Sequence, residues 1–159
     1  ANPTGTALNA GALAVRPHDN TLVVHEVVSP GQCSALSYGS SFSRAVELQS
    51  PEATRVLVSG TASIDARGAT VFVGDTAAQI DQTLDVIEGL LATCGLGFGD
   101  TTEAIAYFRD AKDAALFEER RARVGGASFP VLITENVICR DDLLFELELE
   151  ASGKISSKT

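Results

Sequence analysis

The sequence predicts an α+β domain in which two helices pack on one face of a single mixed sheet. One long stretch repeats apolar residues every three or four positions, which indicates a helix with a buried stripe. Several short stretches alternate apolar and polar residues, which is typical of half-buried strands. The order along the chain is strands, helix, strand, helix and strands, and one sheet with both helices on one face satisfies that order.

The segments before the first helix are predicted to be strands. Residues 22–28 (LVVHEVV) form a short apolar strand that ends in an SPG turn. Residues 42–48 (FSRAVEL) alternate imperfectly, whereas residues 55–64 (RVLVSGTASI) alternate more clearly. Residues 65–68 (DARG) predict a hairpin turn into a strand at residues 70–73.

The first helix is the clearest element in the sequence. Asp75 is a suitable N-cap, and Gly95 ends the helix after about Thr93. Apolar residues spaced four, three and four positions apart lie on one side of a helix and predict a buried stripe. The members of this stripe are Ile80, Leu84, Ile87 and Leu91.

The second half of the chain continues the sheet and adds the second helix. Residues 103–108 (EAIAYF) predict a strand, and Asp110 predicts the start of a helix that extends to about Arg123. Residues 131–137 predict a further strand. In the last strand three apolar residues, Phe145, Leu147 and Leu149, alternate with three glutamates, Glu146, Glu148 and Glu150.

Composition excludes several classes of partner. The 159 residues include 12 basic and 21 acidic side chains, for a net charge of −9, so the chain lacks the cations on which nucleic-acid binding depends. No apolar run approaches the ~20 residues that a membrane-spanning helix needs. The 3 cysteines are widely spaced and fit neither a disulfide framework nor a zinc site, which favours a reducing, cytoplasmic setting.

The motifs of common cofactor-binding and catalytic sites are missing. The sequence contains no GxGxxG, GxxxxGK[ST], HExxH or GxSxG pattern, so we expect no cofactor and no metal. His25, one of 2 histidines, lies in an apolar strand without an acidic partner. A structural role for this histidine is favoured over a place in a Ser-His-Asp triad.

Three features leave a functional and a structural interpretation open. The glutamates of the last strand share one face, which is either a solvated surface or holds a partly desolvated general acid or base. Arg140 beside Cys139 favours a thiolate, although an inert buried cysteine explains the same pattern. The small residues 59–63 (SGTAS) either let a ligand approach the backbone or pack within the sheet.

Several segments together resemble the Rid/YjgF family, whose members are also called endoribonuclease L-PSP. They are LVSGTASID, GDTAAQIDQTLDVIEGLLATCGL, AYFRDAKDAALFEE, FP and FELELEA, and the resemblance covers residues 40–151. It implies a chorismate-mutase-like α+β fold, a homotrimer, and ligand clefts between subunits. The best-known activity of the family is hydrolysis of enamine or imine intermediates of amino-acid metabolism. Ribonuclease activity fits poorly with the net charge of −9.

Most residues of the imine-hydrolysing members are replaced in this chain. The resemblance places their substrate-binding Arg at Leu132, the Tyr of their first strand at Phe42, and the Asn of their second helix at Phe117. Only the acidic residue of the last strand, Glu146, is kept. Because Leu132 has no guanidinium, bidentate capture of a carboxylate is lost there, which disfavours a standard imine deaminase.

A second resemblance covers residues 2–151 and points to the C-terminal half of the chorismatase branch. SPGQCSAL, SSFSRA, SGTASI and VICRDDLLFELE carry it. Chorismatases convert chorismate to hydroxybenzoates or dihydroxy products. The resemblance implies that Glu146 is the catalytic acid, that Cys139 lies in the pocket, and that Arg44 helps to hold a carboxylate. Chorismatases also carry an Arg in the segment before the SFSRA strand, and residues 37–41 of this chain contain none.

The expected function is the binding of a small carboxylated metabolite in an intersubunit cleft, with hydrolysis as its enzymatic form. Glu146 and Cys139 are the expected catalytic residues. A silent ligand-binding or regulatory trimer and imine hydrolysis with an altered site are the alternatives. The expected substrate-binding residues are Phe42, Arg44, Gly60, Thr61, Ala62, Phe117 and Arg140.

The chain is expected to divide into three parts. Residues 1–39 are an N-terminal extension with one short strand, residues 40–151 are the Rid-like domain, and residues 152–159 are a disordered tail. Because the chain starts at Ala1 without Met and resembles the C-terminal half of chorismatases, we expect it to be the second half of a longer chain.

Overall fold

A computed structural model describes residues 12–124 and 129–154, which form one sheet and two α-helices. The helices are α1 (Thr76–Thr93) and α2 (Ala114–Arg121). The strands are β1 (Val23–Val27), β2 (Ala45–Gln49), β3 (Ala53–Ala62), β4 (Thr101–Phe108), β5 (Leu132–Glu135) and β6 (Phe145–Lys154). Neither helix in this part of the chain has the length and hydropathy that a membrane span requires.

The sheet is mixed, as the sequence predicts. Its strand order is β1-β2-β3-β6-β4-β5, and every neighbouring pair is antiparallel except β4 and β5, which run parallel. Helix α1 packs on β3 and β6, and α2 packs beside α1 on the same face. The predicted fold class, a single mixed sheet with two helices on one face, is confirmed. The other face of the sheet is free of helices in the described residues and holds the candidate site.

Helix α1 begins and ends where the sequence predicts. The Asp75 side chain accepts a hydrogen bond from the Ala78 amide at 3.0 Å, which satisfies a free N–H of the first turn. Gly95, with φ of 74°, follows the last turn in the left-handed region that favours glycine. The four residues of the predicted stripe are all buried against the sheet. Burial of this stripe is what attaches α1 to β3 and β6.

The predicted strand at residues 70–73 does not form. Thr70 makes a single β-bridge with Ile64, and the chain then turns, with Phe72 at a φ of 56°. The side chain of Asp65 accepts hydrogen bonds from the amides of Arg67 and Ala69, which closes a tight loop. The predicted hairpin turn is therefore present, and the Val71 amide still donates across it to the Ser63 carbonyl at 3.1 Å. Pairing stops there because the chain turns at Phe72 towards the start of α1.

The second helix and the C-terminal strand also differ from their predicted bounds. Asp110 caps a short 3₁₀ turn at Ala111–Asp113, and α2 begins only after that turn. Strand β6 continues to Lys154, so residues 152–154 are strand where a disordered tail was predicted. Residues 155–159 of that predicted tail and residues 1–11 of the predicted extension lie outside the described residues.

Candidate functional site

A cavity of about 260 Å³ lies on the helix-free side of the molecule, beside the start of β6. Its walls come from the segment before β2, from the end of β3 and the residues after it, from β6 and from the β5–β6 loop. Seven of the nine predicted site residues line it. These are Phe42, Arg44, Gly60, Ala62, Cys139, Arg140 and Glu146.

Glu146 reaches this cavity because of the two-residue period of β6. Its neighbours Phe145 and Leu147 are fully buried in the core, so Glu146 lies on the opposite face of the sheet. It is paired with Ala62 of β3 on one side and with Tyr107 of β4 on the other. Burial raises the pKa of its carboxyl, and the negative charge of Glu148 raises it further. A carboxyl with a raised pKa keeps its proton to higher pH, as a general acid must.

An irregularity in β3 makes room for the Glu146 side chain. The register between β3 and β6 shifts between Val58 and Thr61, which leaves Gly60 facing the Glu146 carboxylate. A Cβ atom built on Gly60 would overlap Glu146 Oε1 and would lie 3.0 Å from Cδ. The small residues 59–63 are predicted to let a ligand approach the backbone. At Gly60 the group that approaches is the Glu146 side chain of the same molecule.

Thr61, predicted as substrate-binding, presents its side chain to the other face. It is paired with Leu147 and is fully buried, and its hydroxyl donates to the Ser59 carbonyl at 2.9 Å. Because side chains alternate along a strand, Gly60 and Ala62 line the cavity while the Thr61 side chain does not.

Two arginines of the cavity are fixed around one aromatic ring. The guanidinium carbons of Arg44 and Arg140 each lie 5.3 Å from the centre of the Tyr38 ring. Arg44 Nη2 donates to Tyr38 Oη at 2.6 Å, and Arg44 Nε donates to the Cys33 carbonyl at 3.1 Å. Arg140 Nη1 donates to the Gly68 carbonyl at 2.7 Å. Tyr38 thus holds both cations in place, and the sequence patterns gave no indication of this role.

The loop that carries Cys139 and Arg140 is held from the core side. Arg109, at the end of β4, donates to three carbonyls of that loop: those of Leu143 at 2.9 Å, Ile138 at 3.2 Å and Arg140 at 2.6 Å. These bonds give backbone acceptors of the loop a donor from β4, although the Arg140 carbonyl also accepts from the Leu143 amide within the loop at 3.2 Å.

A buried glutamine of α1 holds the end of the same loop. Gln79 is fully buried, and its side chain donates to the Asp142 carbonyl at 2.9 Å and accepts from the Leu144 amide at 2.8 Å. Gln79 and Arg109 both lie in segments that carry the family resemblance, but nothing in those segments indicates that their side chains hold this loop, so sequence reasoning missed both roles.

The pKa of the Cys139 thiol is raised, which disfavours the thiolate that its neighbour Arg140 suggests. Partial desolvation is the main cause, and the negative charge of Glu146 adds to it, while the positive charges of Arg140 and Arg109 act in the opposite direction and are outweighed. The residue itself is exposed, so it is not the buried cysteine that the sequence also allows.

A second cavity, of about 320 Å³, meets the first one at Cys139 and Glu146. Its remaining walls are Tyr107, Asn136, Val137 and Ile138. The Tyr107 hydroxyl donates to Glu148 Oε1 at 2.8 Å. Glu146 and Cys139 are therefore accessible from two compartments on the helix-free side of the sheet.

The comparisons with known proteins are informative at the level of three-dimensional structure. No protein-family model matches the sequence, and no curated protein matches it significantly. A member of the YjgF family from Mycobacterium tuberculosis is 27% identical, with a TM-score of 0.63 over 81% of this chain and 98% of that one. An Entamoeba histolytica protein described as an endoribonuclease L-PSP has a TM-score of 0.70 at 18% identity, over 82% of this chain and 100% of that one.

A chorismatase structure has a TM-score of 0.70 and is 26% identical to this chain. The match covers 81% of this chain but only 44% of the chorismatase, so the present chain spans less than half of that protein. The fold, the sequence segments and these neighbours agree. The chain belongs to the Rid/YjgF superfamily.

Phe117 does not line the site of this Rid-superfamily domain. It is fully buried in α2, with ring centres 6.1 Å from Phe108 and 5.3 Å from Phe145. The helix directs Phe117 into the core between α2 and the sheet, on the face opposite to Glu146. Its predicted substrate-binding role is incompatible with that position in the described chain.

Other positions of the Rid-superfamily domain lie away from the Glu146 cavity. Leu132 on β5 is 63% exposed and lines a separate cavity of about 530 Å³ on the open sheet face. His25 is exposed on β1, and its side chain makes no hydrogen bond within the described residues, so the satisfied structural role expected of it is not seen. Among the described residues, no group of three or more His, Cys, Asp or Glu side chains could hold a metal ion.

Replacing Glu146 by Gln is expected to change how stability depends on pH. A carboxyl whose pKa is raised by folding binds its proton more tightly in the folded state, so its contribution is present below the unfolded pKa of about 4.3 and is lost as pH rises. Gln carries no charge, so Glu146→Gln should have the higher Tm at pH 7, with the difference disappearing near pH 4. Calorimetry of both proteins across this range measures it, and an advantage that grows towards low pH would contradict the burial of Glu146.

Gly60→Ala is expected to displace the Glu146 carboxylate, because the added Cβ occupies its position. Since the carboxylate is the mobile end of a side chain, the cost in stability should be about 1 kcal/mol. Gly99→Ala is the matched control, because a Cβ there meets nothing within 4 Å. A crystal structure of each variant and urea denaturation provide the measurements. If the Glu146 carboxylate keeps its position in Gly60→Ala, the space at Gly60 does not determine where that carboxylate lies.

Proposed function

We propose that this domain binds a small carboxylated metabolite in the Glu146 cavity and hydrolyses it with Glu146 as the general acid. One observation carries the proposal: a partly buried carboxyl of raised pKa opens into a cavity that two arginines also line. Positive side chains recognise carboxylates, and two of them beside a protonated acid suit an anionic substrate. The whole chain has a net charge of −9, so two arginines in one cavity are a local exception that favours an anionic ligand there.

The residues divide the work of binding between charge and backbone. Arg44 or Arg140 holds a substrate carboxylate, and Gly60 and Ala62 line the approach to Glu146. The uncharged thiol of Cys139 lies beside the acid and limits the space next to it. Phe42, with its ring centre 5.2 Å from the Arg44 guanidinium, forms the apolar wall.

An enol ether of the chorismate type is the substrate class that this arrangement suits. The Glu146 carboxyl donates its proton to the terminal carbon of the enol, and water adds to the oxocarbenium carbon that results. The added water loses a proton, which restores the Glu146 carboxyl, and breakage of the C–O bond then yields a ketone and an alcohol. The 26% identity to a chorismatase supports this substrate class.

A silent ligand-binding protein is the second candidate, and one observation favours it. Both guanidiniums already have partners within the chain: Arg44 contacts Tyr38 and the Cys33 carbonyl, and Arg140 contacts the Gly68 carbonyl. Cations that are engaged in this way bind a carboxylate more weakly than free ones. Imine hydrolysis is disfavoured, because Leu132 supplies no charge where the imine-hydrolysing members have Arg.

Turnover of chorismate tests the acid role. Glu146→Gln is expected to reduce product formation by about 100-fold or more, since a positioned general acid contributes about 10²–10⁴ to the rate. Glu103→Gln removes an exposed carboxylate from β4 and is the matched control, which should leave turnover unchanged. The measurement is product chromatography after incubation of the full chain with chorismate.

Three other results would change the proposal. Equal turnover by Glu146→Gln and the original chain would reject the acid role. Absence of product together with a chorismate-dependent rise in Tm would favour the silent binder. Absence of both would exclude a ligand of this class.

We also propose that the chain assembles as a homotrimer, with the Glu146 cavity completed by a neighbouring subunit. The sheet face that lacks helices has exposed apolar side chains, among them Val24 at 48% and Leu132 at 63% exposure. Burial of such a surface against another copy is favourable. Light scattering is expected to give three times the 16.6 kDa mass of the chain. A stable monomer at micromolar concentration would exclude the trimer.

A further inference from the structure

The three glutamates on the open face of β6 have different partners. Glu150 pairs with Arg55, whose Nη2 donates to Glu150 Oε2 at 2.6 Å while Nε donates to the other carboxylate oxygen. Glu148 accepts a hydrogen bond from the Tyr107 hydroxyl. Within the described part of the chain no residue hydrogen-bonds or pairs with the Glu146 carboxylate. Glu150 is therefore neutralised by a cation and Glu148 is held by a phenol, whereas Glu146 has neither kind of partner among these residues.

The spacing makes Glu148 the nearest carboxylate to Glu146 along the strand. Residues two apart lie on the same face of a strand and about 7 Å apart. Tyr107 is paired across the sheet with Glu146, yet its hydroxyl bonds to Glu148 at 2.8 Å. The Tyr107 hydroxyl therefore fixes the Glu148 carboxylate on this face and leaves the Glu146 carboxyl without a phenol donor.

Groups from every neighbouring element act on Glu146. Tyr107 faces it from β4, Cys139 and Arg140 from the β5–β6 loop, and Arg44 from the segment just before β2. Both arginines favour the ionised form of Glu146, but each is partly satisfied by other partners. Desolvation and the charge of Glu148 act in the opposite direction, and the pKa of Glu146 is raised. The pKa of Tyr107 is also raised, by burial and by its bond to Glu148, so the phenol remains a donor.

We propose that Glu148, held in place by the Tyr107 hydroxyl, is a positioning residue that acts through Glu146 and makes Glu146 the carboxyl that carries the proton. This inference rests on the proposed acid role of Glu146. No covalent step is assigned to Glu148, because it lines neither cavity in which Glu146 lies. Its contribution is the electrostatic field that it applies from the next position of the same strand face.

Titration of Glu146 in the free full-length chain tests the inference. Carbon-13 NMR of side-chain-labelled glutamates follows each carboxyl, and Glu146→Gln assigns the Glu146 signal. Glu148→Gln is expected to lower the Glu146 midpoint by about 0.5 to 1.5 pH units, the range for one charge at ~7 Å in a partly buried site. Tyr107→Phe should lower it in the same direction by less, and it serves as the second variant if Glu148→Gln does not fold.

Glu150→Gln is the matched control. It removes the same charge from the same strand face, but from about twice the distance and from a carboxylate that Arg55 already balances. Its effect on the Glu146 midpoint should be clearly smaller than that of Glu148→Gln. An unchanged midpoint in Glu148→Gln and Tyr107→Phe, or an equal shift in Glu150→Gln, would overturn the inference.

The same variants separate this inference from the proposed function. If Glu146 is the acid, Glu148→Gln should reduce turnover above the midpoint by about 3- to 30-fold, which is the same shift expressed as a rate. It should also move the high-pH limb of the kcat profile to lower pH. The titration needs no substrate, so a shifted midpoint without turnover supports the electrostatic role and rejects hydrolysis alone. Turnover with an unshifted midpoint rejects the role of Glu148 alone.

Discussion

The alternation of side chains along β6 is the constraint on which the rest of the structure depends. This strand lies between β3 and β4, and one of its faces supplies Phe145, Leu147 and Leu149 to the core beneath the helices. The same two-residue period places three glutamates on the other face, away from the helices. A change of register by one residue would bury all three carboxylates and expose the core, so the position of the candidate acid is as fixed as the core itself.

Much of the fold could be predicted from the sequence because it depends on local periodicity. Helix α1, with its cap at Asp75 and its buried stripe, and the alternating β6 were both predicted, since burial on one face leaves a regular pattern. The strand expected at residues 70–73 is cut short because the chain turns at Phe72, which has a φ of 56°, towards the start of α1. A single residue in the left-handed region leaves no periodic signal in the sequence.

The candidate site was predictable only in part. Cavity-lining positions such as Arg44 and Cys139 follow from family resemblance, and their place beside Glu146 is seen only in the folded chain. Tyr38, Gln79 and Arg109 were missed because their roles arise from contacts between distant segments. The sequence left the thiolate and the inert thiol of Cys139 open for the same reason, since the adjacent Arg140 is visible in the sequence and the opposing Glu146 charge is not.

The hydrogen bonds from Arg109 and Gln79 have a consequence for how quickly and tightly a ligand binds. They connect the loop of Cys139 and Arg140 to β4 and α1, the most deeply packed parts of the molecule. A loop held in this way is already ordered before any ligand arrives, so little conformational entropy is lost on association. Selectivity then depends on the fit of the ligand to a fixed shape, and ligands that require the walls to rearrange are discriminated against at the encounter itself.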